Sequence, residues 1–370
     1  MEDRNLSKSK RFIATLFTAF IGGALFTLLH IPVPWLLGPM VAVLLGTNIW
    51  KRHYVWPNGI RDSGMMIVGY TIGLSMTPVA LHAMALQLPS MLVMTVLLIL
   101  FCSGIAFVVS KFSSSDYSTS LLGSIPGGLT QVILLAEETK GINLAVVTVT
   151  QVIRLMMIII FIPLLVTLPL FRNGGAADMA ADVADQATAS WSGLFPDILL
   201  FAVVGIALAF LGSKIRFPTA VLLGPAVGTA VLQAFGMEGP NLPPVVISLS
   251  QLMIGTHVGL MLQVNQIQQK VRTIGLAVGS GLMLLIGSIV LGMVLTKIQP
   301  VTHATSLLSL APGGMDQMGI IAHEIHADLS MVSGYQLFRT FFIYFAVPPL
   351  VKVIFRQINK KKLIEQREHG

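Results

Sequence analysis

The chain has 370 residues, of which 54% are hydrophobic and 11% charged, and its mean hydropathy is +0.82. An average soluble domain is about 25% charged, so an ordinary soluble enzyme is excluded and the bilayer becomes the solvent. The formal net charge of +7 sits in short loops and in the tail Lys352–Arg367 rather than on a folded basic face, which argues against nucleic-acid binding and makes the charge a determinant of membrane orientation.

Spans in lipid must be helices or a closed barrel. Alternating strand patterns are absent, which leaves helices. The first apolar run, Phe12–Leu29, follows Arg4, Lys8, Lys10 and Arg11. That start is like a signal peptide's, but His30-Ile31-Pro32-Val33-Pro34 offers no small-x-small cleavage site, so the run is read as a retained span. Apolar segments follow near 34–50, 62–81 and 90–110, then an interrupted one at 118–137 and a long one at 143–170. Cys102, the single cysteine, lies in an apolar run and has no internal partner for a disulfide. After a small, polar, acidic stretch carrying Asp178, Asp182 and Asp185, further segments fall near 195–212, 218–236, 244–262, 272–296, 304–323 and 328–355.

The two series repeat each other. Leu122–Gln131 reads LGSIPGGLTQ and Leu308–Gln317 reads LSLAPGGMDQ, with Pro126 and Pro312 186 positions apart. Leu36-Leu37-Gly38-Pro39 returns as Leu222-Leu223-Gly224-Pro225, and Gly69-x-x-x-Gly73-Leu74 as Gly255-x-x-x-Gly259-Leu260, at the same offset. Gln151-x-x-Arg154 returns as Gln336-x-x-Arg339, one position short of it. The expected fold is an all-α polytopic membrane protein made of two repeats of five to six helical segments. Residues 12–172 form the first repeat, 173–194 an acidic linker, 195–356 the second repeat and 357–370 a basic cytoplasmic tail. If each half crosses an odd number of times, the repeats are inverted, and 18 of the 23 Lys and Arg fall on the side of the N-terminus. The positive-inside rule favours that arrangement, with both termini cytoplasmic. One segment per half then does not fully cross, and the Pro-Gly-Gly segment, re-entrant or broken, is the obvious one; a crossing broken helix beside a short neighbour stays open.

Paired interruptions in matching places of a duplication point to a transport site. Proline removes a backbone donor and glycine permits unusual backbone shapes, so Pro126-Gly127-Gly128 and Pro312-Gly313-Gly314 free polar backbone at membrane depth. Such backbone survives only inside protein or against a water-filled cavity. Thr130, Gln131, Asp316 and Gln317 would stand in the first turn of each restarted helix, where freed amides hold anions and freed carbonyls hold cations. Arg154 and Arg339 each lie within an apolar run and need a partner or a cavity. Glu137 or Glu138, and Asp316, Glu324 or Asp328, are the partners expected; snorkelling to the interface is the alternative. His257, within an apolar segment, is a further candidate for the site. His323 and His326 share a helix face, but Glu324 between them does not complete a metalloprotease pattern, and a polar helix end is expected there rather than a metal. No catalytic triad, P-loop or dinucleotide fingerprint is present, so no enzyme, cofactor or metal is expected.

Leu-Leu-Gly-Pro near the start of each half and Pro-Gly-Gly near its end resemble the membrane AbrB family, the AbrB duplication group, over roughly residues 12–355. Some members carry a gene-regulation label and some an ammonia monooxygenase label. The eight histidines are scattered, whereas a copper or iron centre needs a converging ligand set. More distantly, Pro126-Gly127-Gly128-x-Thr130-Gln131, Leu135-Ala136 and the span opening Ile142-Asn143-Leu144-Ala145 look like the crossover helix of the bile-acid/sodium symporter and cation–proton antiporter group. That group typically shows Ser-Asn where this chain has Thr130-Gln131. The resemblance implies inverted repeats with crossed, broken helices.

The function expected is therefore a secondary transporter or exporter of a small solute, driven by an ion gradient, in the plasma membrane. The two arginines and two helix dipoles favour an anion. The alternative is a membrane-embedded sensor that regulates gene expression through a partner protein. The bilayer and a small solute or ion are the partners expected, and a homo-oligomer packed through glycine-rich faces stays open.

Overall fold

The computed structural model describes residues 8–48, 54–113, 116–126, 132, 142–168, 171, 191–215, 217, 219–261 and 270–368. Among them the regular structure is helical: α1 Lys8–Leu28, α2 Pro34–Asn48, α3 Asn58–Ser75, α4 Pro78–Phe112, α5 Tyr117–Ser124, α6 Leu144–Val166, α7 Asp197–Lys214, α8 Ala220–Ala234, α9 Pro244–Met261, α10 Lys270–Ile298, α11 His303–Leu310, α12 Met315–Glu324 and α13 Leu329–Glu368. Six of these helices are long and apolar enough to cross a membrane. The protein is an all-α polytopic membrane protein. Phe17, Phe101, Phe210, Val271 and Phe345 are exposed, as expected of helices whose outer faces meet lipid.

Helix boundaries follow local chemistry. The Thr77 side chain caps α4 by accepting from the Ala80 amide at 3.2 Å, and Pro78 takes the first position, where a missing N–H costs nothing. This start lies inside the segment read above as 62–81. The apolar run hides the boundary, whereas Thr-Pro marks it. At 35 residues α4 is about 52 Å long, more than the roughly 30 Å of a hydrocarbon core.

Helix pairs meet at glycine. A β-carbon added at Gly69 would lie 2.2 Å from the Leu222 carbonyl oxygen, and one at Gly255 would lie 2.3 Å from that of Leu36. Gly73 meets the Ala226 carbonyl and Gly259 that of Met40 in the same way. Thus α3 lies along α8, and α9 along α2, by equivalent contacts: Gly69 and Gly255 stand 186 positions apart, and so do Leu36 and Leu222.

The directions of the helices follow from their ends. Arg272, at the start of α10, donates from Nε (3.1 Å) and Nη2 (2.7 Å) to the carbonyl of Phe112, the last residue of α4. Gln299, just past the end of α10, donates to Ser90 Oγ in the first half of α4 at 2.6 Å. So α4 and α10, which occupy matching places in the two halves of the sequence, run antiparallel.

Candidate functional site

The second Pro-Gly-Gly separates two half-helices too short to cross. Thr302 caps α11 by accepting from the Thr305 amide at 3.1 Å. The Thr305 hydroxyl then accepts from the amide of Asp328, immediately before α13, at 3.1 Å. The start of α11 and the start of α13 therefore lie side by side. Deeper in, Gln336 on α13 reaches the carbonyls of Leu308 (2.7 Å) and Ala311 (3.2 Å), and Arg339 reaches that of Ala311 at 2.7 Å. Thus α11 and α13 descend in parallel, and α12 returns between them to the level where α11 began. The segment is a helical hairpin with Pro312-Gly313-Gly314 at its tip. Arg339 is ten residues into α13, about 15 Å along it, so the tip lies about 15 Å from the level at which the hairpin begins and ends.

The first half repeats the opening of this arrangement. Thr119 Oγ1 accepts from the Asn143 amide at 3.2 Å, which sets the start of α5 beside the start of α6. Gln151 donates to the carbonyls of Leu122 (2.7 Å) and Ile125 (3.0 Å). Arg154 Nη1 donates to those of Gly123, Ser124 and Ile125 at 3.2, 3.0 and 3.2 Å. Pro126 is buried at the end of this half-helix. Gly127, Gly128, Thr130 and Gln131 lie outside the described residues.

The partner of Arg339 differs from the carboxylates expected for it, whereas Glu137 and Glu138, expected for Arg154, lie outside the described residues. Among the described residues each arginine binds the last carbonyls of a half-helix together with the glutamine one turn before it: Arg154 with Gln151, and Arg339 with Gln336. The physical reason is the break itself. A helix C-terminus leaves its final carbonyls without intrahelical donors, and it carries partial negative charge. A guanidinium with five donors satisfies several carbonyls at once, and the two arginines are only 3% and 4% exposed. Neither snorkels. The signal was in the sequence: Gln-x-x-Arg places both side chains on one helix face, and it stood opposite each Pro-Gly-Gly. Read only as a marker of repetition, it did not reveal the clamp.

The clamp leaves the far side of the second tip open. Gly313, Gly314 and Asp316 are half-buried, although they stand at the inner end of the hairpin. Gln317 is buried, and its Nε2 donates to Asp316 Oδ2 at 2.7 Å. Its Oε1 has no hydrogen-bond partner among the described residues. A β-carbon at Gly314 would lie 2.2 Å from Gln317 Oε1 and 2.4 Å from Asp316 Oδ1, so these two oxygens converge on the glycine backbone. The charge of Arg61, near the start of α3, reaches Asp316. Arg61 is salt-bridged to Asp62 at 2.6 Å and lies 3.4 Å from His257 Nε2. His257 is thus joined to Arg61 rather than to the tip.

The two halves approach each other at depth. A β-carbon at Gly313 would touch Ile158 of α6 at 3.4 Å. Arg154 and Arg339 are close enough to feel each other's charge, and fully buried Cys102 is within electrostatic reach of both. The His323/His326 expectation needs correction. The helix α12 ends at Glu324, and His326 sits in a left-handed turn with φ 53°, so the two histidines do not share a helix face. Among the described residues no group of three or more His, Cys, Asp or Glu could hold a metal ion.

Comparisons with known proteins agree with this architecture in extent. The chain is similar to "Uncharacterized protein YhjN" of Bacillus subtilis (strain 168), with 26% identity over 98% of this chain and 97% of the relative. It is also similar to "Putative regulator AbrB" of Escherichia coli (strain K12), with 24% identity over 89% of this chain and 92% of the relative. A family described as "Transition state regulatory protein AbrB" matches residues 35–355, a stretch that takes in both Leu-Leu-Gly-Pro motifs, both Pro-Gly-Gly motifs and both Gln-x-x-Arg clamps. The chain therefore belongs to the AbrB family.

Proposed function

We propose that the protein is a secondary transporter or exporter of a small solute in the plasma membrane, built as two inverted copies of one unit and driven by an ion gradient. The observation that carries this reading is the second hairpin tip. A carboxylate, Asp316, and an unpartnered buried oxygen, Gln317 Oε1, stand half-open at mid-depth on a backbone that lipid could not tolerate. Polar groups left bare inside a membrane are costly and mark substrate or ion paths. The antiparallel course of α4 and α10 and the matching Thr119–Asn143 and Thr305–Asp328 bonds support the inverted arrangement. With the basic loops inside, the half-helix α5 enters from the cytoplasm and the second hairpin from outside.

The preference for an anion loses its main support. Both guanidiniums bind carbonyls of the breaks beside them, and of their nitrogens only Arg154 Nε is a buried donor without a partner among the described residues. Asp316 and Gln317 Oε1 present acceptors, which suits a coupling cation or proton at this tip. No enzyme activity, cofactor or metal is part of this reading. The test is solute flux in proteoliposomes with and without an imposed pH or Na⁺ gradient, comparing wild type with Asp316→Asn. Gradient-driven flux that Asp316→Asn uncouples is the expected result. Gradient-independent behaviour across a broad solute panel defeats the proposal.

A second reading is a membrane-embedded regulator acting through a partner, favoured by the printed name of the Escherichia coli relative. Its output would run through the tail 357–370, where α13 continues to Glu368. Deleting the tail separates the two: a transporter keeps its flux, whereas a regulator loses its output and keeps its ligand.

A further inference from the structure

The two clamps bring two buried cations together with no acid between them. Arg154 and Arg339 are 3% and 4% exposed. Their surroundings meet across the fold. Arg339 Nη2 holds the Gly313 carbonyl at 2.8 Å, and a β-carbon on Gly313 would stand 3.4 Å from Ile158, one turn beyond Arg154 on α6. Each guanidinium feels the charge of the other. Cys102 of α4, fully buried, is within electrostatic reach of both. Among the described residues no carboxylate is; the positive charge that reaches Asp316 is that of Arg61.

The charges at this crossing do not balance. A helix C-terminus carries roughly half a negative charge, so the ends of α5 and α11 together offset about one of the two guanidiniums. About one positive charge is left where solvent barely reaches. A buried charge without an opposite partner is costly, and charged side chains inside a membrane pair with an opposite charge or face a cavity. One atom marks where the counter-charge belongs. Arg154 Nη1 is shared among three carbonyls and Nη2 binds Gln151. Nε is buried and has no hydrogen-bond partner among the described residues. Buried donors are satisfied as a rule, and an orphan on a cation calls for an acceptor.

We propose that a small monovalent anion of the chloride class binds between the two clamps, against Arg154 Nε, as a resident counter-charge. A halide suits the position because it carries the single charge that the surplus requires. It also accepts from N–H donors in any direction, so it needs no fork of matched groups. The anion is not the passenger of the transport reading, and its binding requires no flux. It is separate from the Asp316 tip, whose acceptors repel it.

The test is the melting temperature of the full-length protein in lipid nanodiscs as chloride replaces gluconate at constant sodium and ionic strength. A saturable rise that bromide reproduces is expected. No response to chloride overturns the proposal. So does an equal rise with sulfate, which stabilises proteins by exclusion from their surface rather than at a site. Cys102→Asp places a carboxylate within reach of both guanidiniums and should abolish the chloride response, whereas uncharged Cys102→Ser should keep it. Arg154→Lys keeps the charge but lacks Nε, and should raise the half-saturating chloride concentration at least tenfold. A wild-type chloride response in Cys102→Asp or in Arg154→Lys would place the ion elsewhere and overturn the assignment.

Discussion

Arg339 Nη2 donates to the carbonyl oxygen of Gly313 at 2.8 Å, joining the first half of α13 to the tip of a hairpin 26 positions earlier in the chain. The same guanidinium holds Ala311 through Nη1 at 2.7 Å and binds the Gln336 side chain. One cation and one amide thus replace the donors that a continuous helix would have supplied. The hairpin can turn back because its broken end is capped from the neighbouring helix.

This clamp should behave as a unit. Removing one partner of a buried charged arrangement typically costs about 3–5 kcal/mol, so Arg339→Ala should lower thermal stability in detergent severely. Arg339→Lys should be intermediate, because an ammonium is a single point charge and cannot fork between two carbonyls. Gln336→Ala should destabilise less. The Gln336→Ala/Arg339→Ala double variant should be less damaged than the sum of the two singles by about 1 kcal/mol or more. Strict additivity would mean that the two side chains act separately.

The hairpin itself is open to chemical labelling. Pro300 lies ahead of α11 and Ala327 beyond α12, on either side of 26 residues that would cross the bilayer if the helix were merely kinked. The Thr305–Asp328 bond places both ends at one level. Cys102 is fully buried and should stay silent. A membrane-impermeant maleimide should therefore modify Pro300→Cys and Ala327→Cys from the same side in oriented vesicles. Labelling from opposite sides would restore the crossing helix.

Glycine contacts give a third expectation. At Gly69 and Gly255 an added methyl meets a backbone carbonyl, at 2.2 and 2.3 Å, which cannot rotate away. Overpacking of this kind costs about 1–3 kcal/mol. Gly69→Ala and Gly255→Ala should each lower the melting temperature, and by similar amounts, because they occupy matching contacts. Gly104 on α4 has nothing within 4 Å of a built β-carbon, so Gly104→Ala should be neutral or stabilising by up to about 1 kcal/mol, the helix propensity difference. A neutral Gly69→Ala would show that α3 and α8 are not pressed together there.

Much of this architecture was legible in the sequence because lipid is an exacting solvent. Runs of apolar residues had to be helices, and Pro312-Gly313-Gly314 had to be a break. Arg154 and Arg339 could not stand in apolar runs unpartnered. What remained hidden depended on distance across the fold. Nothing local says that the Asp328 amide returns to Thr305, so a re-entrant and a crossing segment read alike. The arginine partners were sought among carboxylates, since side chains are what a sequence displays. Backbone carbonyls, present at every residue, carry no letter.

The last expectation separates structure from function at the tip. A methyl at Gly314 would press on Gln317 Oε1 and Asp316 Oδ1, which are side-chain atoms that can swing aside. Gly314→Ala should therefore cost little stability, under about 1 kcal/mol, yet displace the two oxygens that face the opening. At Gly313 the added methyl would meet the end of Met318, 2.8 Å away, and a flexible thioether gives way easily. If Asp316 and Gln317 lie on the ion path, Gly314→Ala should reduce gradient-driven flux at least tenfold or shift its dependence on ion concentration, whereas Gly313→Ala should transport within a few-fold of wild type. Melting curves for both variants confirm that the fold is intact. Wild-type flux in Gly314→Ala would remove those two oxygens from the pathway, because no passenger coordinated there could ignore their displacement.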